Sequence, residues 1–457
     1  MAREKFKSRL GFILLSAGCA IGIGNVWRFP YVAGEHGGGA FVLFYLFFLV
    51  ILGVPLTVME FAIGRGSKKS IARSYYVLEK KGQKWHWHGY VAMAGNFLLM
   101  MFYTSVAGWM LNYFYKMITG EFVGTDSGGV AVKFDEMLSN PIEAVLWMLL
   151  IVVIGFLVCS IGLQKGVERI TKVMMVLLLF IMVGIAINCI LTPGGTEGLK
   201  FFLLPDFDRM YQSGVVDTIV AAMNQAFFTL SLGAGSMMIF GSYLDRDRSL
   251  VGESINVAAL DTFVAIVSGL IIFPSCFAFN VSPDSGPSLV FVTLPNIFNA
   301  MEGGQIWGGL FFLFMSFAAI STVIAVFENI ISFGMDLWNW SRKKSAAINL
   351  VLVPVLSLPC ALGFNVFSGF KPFGEGSTVL DLEDFILSSI ILPAGCLVCV
   401  LFCVSRRFGW GYDNFIKEAN TGKGIKMPKW VRGYLIYVLP VIVLIVFIQG
   451  LYSKFFM

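Results

Sequence analysis

Apolar runs of about 20 residues recur along the chain, each long enough as a helix to cross roughly 30 Å of hydrocarbon. They place eleven spans, at 11–33, 39–64, 89–118, 142–162, 168–191, 217–241, 255–280, 305–336, 347–367, 384–404 and 432–453. The pattern is that of an all-α polytopic membrane protein without a soluble domain. The first span has no cleavage site of the small-residue type, so it reads as retained structure rather than a signal peptide.

Two of these runs break where a plain span would continue. In the stretch Ala17–Pro30, Gly18, Gly22 and Gly24 make helix cheap to interrupt, Asn25 and Arg28 follow, and Pro30 closes it. Exposed to lipid, the freed N–H and C=O groups would each cost several kcal/mol, so the stretch lines a cavity or is buried against protein. Span six repeats the anomaly with Thr229, Ser231, Gly233, Gly235 and Ser236 near its middle. Glycine alone also serves close helix contacts in membranes. Spans one and six, however, lead two successive groups of five, and paired breaks at corresponding positions mark a transporter binding site. An odd-numbered repeat inserts the opposite way the second time. The expected organisation is therefore an inverted pair, 11–191 and 217–404, with the eleventh helix at 432–453 outside it.

Composition agrees with this class. Hydrophobic residues make up 57% of the 457, charged residues 13%, and mean hydropathy is +0.80, against about 25% charged in soluble domains. Charge sets an expected orientation. Arg3, Lys5, Lys7 and Arg9 precede span one, and alternate loops carry most of the other Lys and Arg, as in Arg65–Lys84, Lys165–Lys172, Arg246–Arg248, Arg342–Lys344 and Arg406–Arg432. Positive-inside bias puts that side and the N-terminus in the cytoplasm, and an odd span count puts the C-terminus outside. A multi-pass protein of the cell (inner or plasma) membrane is expected. The net charge of +5 follows from this bias and does not indicate a nucleic-acid partner. No feature calls for an obligate protein partner.

The eight cysteines all fall in apolar spans, which favours packing over an oxidised pair or a metal at Cys396-x-x-Cys399. His36, His86 and His88 flank spans and suggest no proton relay. An intramembrane enzyme would need a nucleophile with a base, or a metal cluster, and neither is visible. A channel would need a continuous polar lining, whereas the polar residues form one compact cluster.

The chemistry of a broken helix follows from its ends. Freed N–H groups at a half-helix N-terminus suit a carboxylate, and freed carbonyls at a C-terminus suit a hard cation that takes oxygen ligands. A zwitterion and a small cation satisfy both. Span eight supplies further oxygens in Ala318-Ala319-Ile320-Ser321-Thr322, although such hydroxyls can equally bond their own helix carbonyls.

At this point Ala20-Ile21-Gly22-Ile23-Gly24-Asn25-Val26-Trp27-Arg28-Phe29-Pro30-Tyr31 and Glu35-His36-Gly37-Gly38-Gly39-Ala40-Phe41 resemble the signature of the neurotransmitter:sodium symporters. Phe228-Thr229-Leu230-Ser231-Leu232-Gly233, Ser242-Tyr243 and the span-eight hydroxyls extend the match over nearly the whole chain. Eleven spans with no long second outside loop look like the bacterial branch. The resemblance implies a LeuT-type fold of five plus five inverted spans, discontinuous at spans one and six.

It also implies residue roles. One sodium would be held by Ala20, Asn25, Thr229 and Asp261 together with the substrate carboxylate, and a second by Gly18, Ile21, Ala318, Ser321 and Thr322. The carboxylate would meet the N–H groups of Ile23 and Gly24 and the Tyr103 hydroxyl. An apolar pocket would include Cys19, Leu99, Phe228, Ser231, Ala234 and Val326. Arg28 and Asp384 would form an outer gate with Phe228 as lid and Gln225 nearby; Arg3 and Asp336 would form an inner gate with Tyr243, packed by Phe6. A permanent structural pair at Arg28 and Asp384 is the alternative, though intramembrane charge is a functional hypothesis by default. Glu60 reads as a structural buried acid, and Glu328 as either gate network or structure.

Two departures refine this picture. Chloride-dependent members carry asparagine at the position of Asp261 and serine at that of Ala265, so transport here is expected to need sodium and no chloride. Related bacterial members place a proline at the position of Val176, ten residues after Gly166, to weaken span five; its loss bears on the inward-opening route. Amine-transporting members carry an aspartate at the position of Gly22, so the expected substrate is a neutral amino acid. Ala234 replaces a bulky aromatic, which favours large hydrophobic or aromatic side chains. A sodium-dependent amino acid sensor on the same scaffold, or a transporter of another small zwitterion, would use the same ligands.

Overall fold

The structure, a computed structural model, describes residues 4–279, 281 and 289–456. Among the described residues nine continuous helices are long and apolar enough to cross a membrane: Gly39–Ser67, His86–Ile118, Pro141–Ser160, Leu163–Leu191, Leu250–Ala278, Gly304–Trp338, Arg342–Ala361, Val379–Val404 and Val431–Tyr452. A bent pair, Arg9–Ala20 and Gly24–Glu35, turns by 61° and forms span one. Span six is Val215–Phe228 and Ser236–Ser242 with unwound chain between them. The total is the eleven spans expected from hydropathy, and the protein is a multi-pass membrane protein.

Local chemistry fixes several ends. Span four starts where the Asn140 side chain accepts from the N–H groups of Ile142 and Glu143, with Pro141 at the first helical position. Span ten starts at a capping box in which Thr378 and Asp381 satisfy each other's backbone. Span nine corrects the sequence reading of 347–367. Ser341 caps it by accepting from Lys344 N, and Arg342–Lys344 form its first turn, so the helix runs Arg342–Ala361. A basic triplet looks like a loop to a hydropathy window, yet long cationic stems reach past an apolar rim to water. Span five likewise begins earlier, through a widened turn at Leu163–Glu168, and takes in Lys165 and Arg169.

Span eight is the centre of the bundle: 83% of its most apolar window is buried, against 28% for span eleven at the periphery. Small residues let neighbours approach it. A Cβ on Gly155 of span four would fall 2.7 Å from the Phe327 ring, the close-approach use of glycine in membrane bundles. Short helices cap both ends. Ser127–Ser139, Gly195–Leu203, Phe207–Gln212 and Leu289–Ala300 lie in connections on one side, and Ile71–Leu78 and Tyr412–Ala419 on the basic side. None is long enough to register in a hydropathy scan.

Tyr412–Ala419 is tied firmly to span two. The buried Arg65 guanidinium donates from Nε to Glu418 Oε1 at 2.7 Å, from Nη2 to the Glu418 carbonyl, and from Nη1 to the Arg248 carbonyl at 2.7 Å. Glu418 also pairs with Arg246 at 2.8 Å.

Candidate functional site

The break in span one is local and complete. Helix ends at Ala20, Ile21 turns to an extended ψ of 96°, and a widened turn resumes at Gly24–Arg28. In span six the chain leaves helix after Phe228. Ser231 adopts φ +51°, Gly233 +96° and Gly235 +75°; a non-glycine residue in that region costs about 1 kcal/mol or more and persists where its surroundings hold it. The Ser231 hydroxyl donates to the Cys19 carbonyl at 3.3 Å, which joins the two breaks.

Two buried side chains outside the predicted site hold the unwound part of span six. Glu60 Oε1 accepts from Gly233 N at 2.7 Å, and Asn96 Nδ2 donates to the Ala234 carbonyl at 2.9 Å. Asn329 in turn donates to Asn96 Oδ1 at 3.0 Å. Glu60 thus has the backbone partner expected of a structural acid, and that partner is the break itself. A lone Glu or Asn inside an apolar run was the available signal for both.

Two oxygen clusters flank the breaks. In the first, Asn25 Nδ2 donates to Asp261 Oδ1 at 2.8 Å and to Thr229 Oγ1 at 3.2 Å, and Thr229 Oγ1 donates to Asp261 Oδ2 at 2.7 Å. Asn25, Thr229 and Asp261 are all buried, and Asn25 Oδ1 accepts from Gly22 N at 3.3 Å. A buried carboxyl that stays ionised is paired or binds a metal, and no cationic side chain pairs with Asp261 among the described residues.

In the second cluster the Ser321 hydroxyl lies 3.0 Å from the Gly18 carbonyl and 2.8 Å from that of Ala318. The Thr322 hydroxyl lies 3.2 Å from the carbonyls of Gly18 and Ile21 and 3.3 Å from that of Ala318. Each hydroxyl carries one proton, so three carbonyls share two donors. The cluster is rich in oxygen and poor in hydrogen, a donor set suited to a hard cation. Between the clusters, Ile23 N donates to Tyr103 Oη at 3.3 Å. Ala20 is buried at the end of the first half-helix, and Gly24 opens the second.

Cys19 and Val326 sit in the main core, Phe228 packs on a separate small cluster built on Ala234, Leu387 and Leu392, and Leu99 touches both.

The structure alters the outer charges. The Arg28 guanidinium carbon lies 4.3 Å from the centroid of the Phe228 ring, a cation–π arrangement. Asp384 accepts from Ser388 Oγ at 2.7 Å. Arg28 and Asp384 are electrostatic neighbours but lie too far apart for a contacting ion pair. Gln225 is buried nearby with its side-chain oxygen lacking a hydrogen-bond partner.

On the basic side, Arg3 lies outside the described residues. Asp336 is met by Lys69 Nζ at 3.1 Å and Ser70 N at 2.8 Å. The Tyr243 hydroxyl donates to Glu328 Oε1 at 2.5 Å, Arg342 pairs with Glu328 at 2.6 Å, and Phe6 packs edge-on to Tyr243 with centroids 5.7 Å apart. Glu328 therefore belongs to the network beside Tyr243. The N-terminal segment is strapped here as well: Glu168 accepts from Lys7 N at 2.8 Å and Ser8 N at 3.0 Å, and Arg9 pairs with Glu253 at 2.9 Å. Glu168 and Glu253 were not foreseen, since a carboxylate beside a basic loop reads as solvated surface.

The profile of the Sodium:neurotransmitter symporter family matches residues 3–131 and 129–455. The uncharacterized sodium-dependent transporter YhdH of Bacillus subtilis is 31% identical over 97% of this chain and 97% of its own length. An uncharacterized sodium-dependent transporter of Haemophilus influenzae is 30% identical over 98% of each. The Drosophila melanogaster sodium-dependent serotonin transporter is 24% identical over 98% of this chain and 76% of its own length. The crystal structure of MhsT in complex with L-phenylalanine superposes with a TM-score of 0.86 at 36% identity, covering 98% of this chain and 100% of that one. With its two broken spans facing each other across buried oxygen clusters, the chain belongs to the sodium:neurotransmitter symporter family and is a sodium-coupled transporter of the LeuT fold.

Proposed function

We propose that the protein imports neutral amino acids with large hydrophobic or aromatic side chains, driven by two sodium ions and without chloride. The observation that carries this reading is the placement of two oxygen clusters, one anionic and one neutral, on either side of a broken helix. A carboxylate lodged at Ile23, Gly24 and Tyr103 would complete the anionic cluster, with Ala20, Asn25, Thr229 and Asp261 around one sodium. Gly18, Ile21, Ala318, Ser321 and Thr322 would take the other. Asp261 supplies the fixed negative charge that an external anion would otherwise bring.

In this reading Phe228, with Arg28 over it and Asp384 behind, closes the outer side, and Gln225 supports it. Release inward requires the basic-side network of Asp336, Tyr243, Glu328 and Arg342, with the N-terminal strap, to part. The repeats 11–191 and 217–404 then rock about the fixed site. The basic side is assigned to the cytoplasm of a cell membrane, where an inside-negative potential contributes about 2.3 kcal/mol per charge per 100 mV. The widened turn at Leu163–Glu168 offers span five a weak point near Gly166 without the proline absent at Val176.

Purified protein in proteoliposomes tests the reading. Labelled leucine or tryptophan should accumulate under an inward sodium gradient, persist when gluconate replaces chloride, and vanish with potassium. Binding without flux would establish a sensor, and glycine displacing label better than leucine or tryptophan would reject the large pocket.

Gly22 gives a sharper test. A Cβ there would stand 2.6 Å from Tyr103 Oη and 3.2 Å from Thr322 Oγ1. Overpacking a tight site costs about 1–3 kcal/mol, so Gly22→Ala should weaken substrate affinity about tenfold or more. Binding of labelled substrate checks it, with thermal stability showing that the fold is kept.

A further inference from the structure

Span ten contains a feature that the assigned site does not use. Over Ile386–Ile391 its backbone widens into i→i+5 bonding, and Leu392 N donates to the Leu387 carbonyl. In a regular helix residues five apart point to different sides, because each step turns by about 100°. In the widened turn they stack. Leu387 and Leu392 therefore face the same way, and both are buried against Ala234 in the unwound part of span six. Phe228 and Leu99 pack on this same cluster.

The approach is close because the backbones are bare. A Cβ on Gly233 would lie 2.1 Å from the Leu392 carbonyl, and one on Gly395 would lie 2.1 Å from the Gly233 carbonyl. Span ten thus presses directly on the break, and the widened turn delivers its leucines to the position that a larger residue at 234 would fill. Widened turns inside helices are frequent at functional sites.

The geometry points to Leu387 and Leu392 as specificity-determining residues: they form the far wall of the side-chain pocket and set the largest side chain it accepts. Space left by the small methyl of Ala234 is bounded by span ten, so selectivity among large amino acids depends on the turn at Ile386–Ile391. This inference rests on the amino acid transport reading above, but it is tested by a ratio and not by activity itself.

The experiment measures competition by leucine and tryptophan against labelled leucine in proteoliposomes. Leu387→Ala should shift the ratio of half-inhibiting concentrations toward tryptophan by about tenfold, the scale at which pocket fit discriminates apolar groups. Leu387→Phe should shift it toward leucine. Leu392→Val, a smaller cut that is easier to fold around, should move it toward tryptophan by about threefold. Val400→Ala, an equally buried truncation lower on span ten and outside this cluster, should leave the ratio alone. A ratio unchanged in Leu387→Ala and Leu392→Val while the wild type transports both amino acids would overturn the inference alone. An equal shift in Val400→Ala would overturn it too, since general loosening would then suffice. Wild-type protein that takes up neither amino acid under a sodium gradient would overturn the transport reading itself.

Discussion

Replacing Thr322 by valine is expected to weaken sodium activation of uptake by about 10- to 100-fold, with little change in fold stability. The side chain keeps its shape, so the bundle around span eight has no cavity to collapse into. It loses the one oxygen that approaches three carbonyls at once, those of Gly18 and Ile21 at 3.2 Å and Ala318 at 3.3 Å. A hydrogen-bonding group serving a charge contributes about 1.5–3 kcal/mol, which gives the stated range for one ligand among several. Thr322→Ser keeps the oxygen and should recover most of the activity. Sodium titrations of uptake and of direct binding separate the outcomes. A valine variant with wild-type sodium dependence would mean that the hydroxyl only hydrogen-bonds these carbonyls and does not ligate the ion.

The sequence made the breaks legible at the level of single residues because helix interruption has a local cause. Gly22 and Gly24 in span one, and Ser231, Gly233 and Gly235 in span six, stand at the points where the backbone leaves helix. Asn25, Thr229 and Asp261 meet in the fold, although Asp261 lies 32 residues from Thr229 and 236 from Asn25. What supports those breaks was hidden. Glu60 meets Gly233 across 173 residues, and Asn96 meets Ala234 across 138. A polar residue in an apolar run announces that it has a partner without saying which. The start of span nine was displaced for a different reason: Arg342–Lys344 carry charge on stems that tolerate an apolar rim, so charge marked the side of the membrane and misplaced the helix end. The engagement of Arg28 by Phe228 was missed because Coulombic pairing is easier to imagine from a sequence than stacking on a ring.

Asp261→Asn should have the other large effect, and its cause is electrostatic. In the wild type both carboxylate oxygens accept, one from Asn25 at 2.8 Å and the other from Thr229 at 2.7 Å. Asparagine can keep the first contact with its oxygen, while its NH2 group faces Thr229 Oγ1, which must then accept; the hydrogen bonding survives and the charge does not. A unit charge about 4 Å away at an effective dielectric of about 20 interacts by about 4 kcal/mol. Loss of that attraction, partly offset by relaxation and water, should lower apparent sodium affinity by about 100-fold. The same substitution leaves a site that lacks an anion, which is the condition under which the chloride-dependent branch is expected to recruit one. Ala265 is buried one helical turn further along span seven, so Asp261→Asn with Ala265→Ser should recover uptake in chloride and not in gluconate. Asp261→Asn retaining wild-type sodium dependence would show that the carboxyl carries a proton in the working protein and contributes no charge. Recovery of the double variant equally in both anions would separate the sodium role of Asp261 from its role as a substitute for chloride.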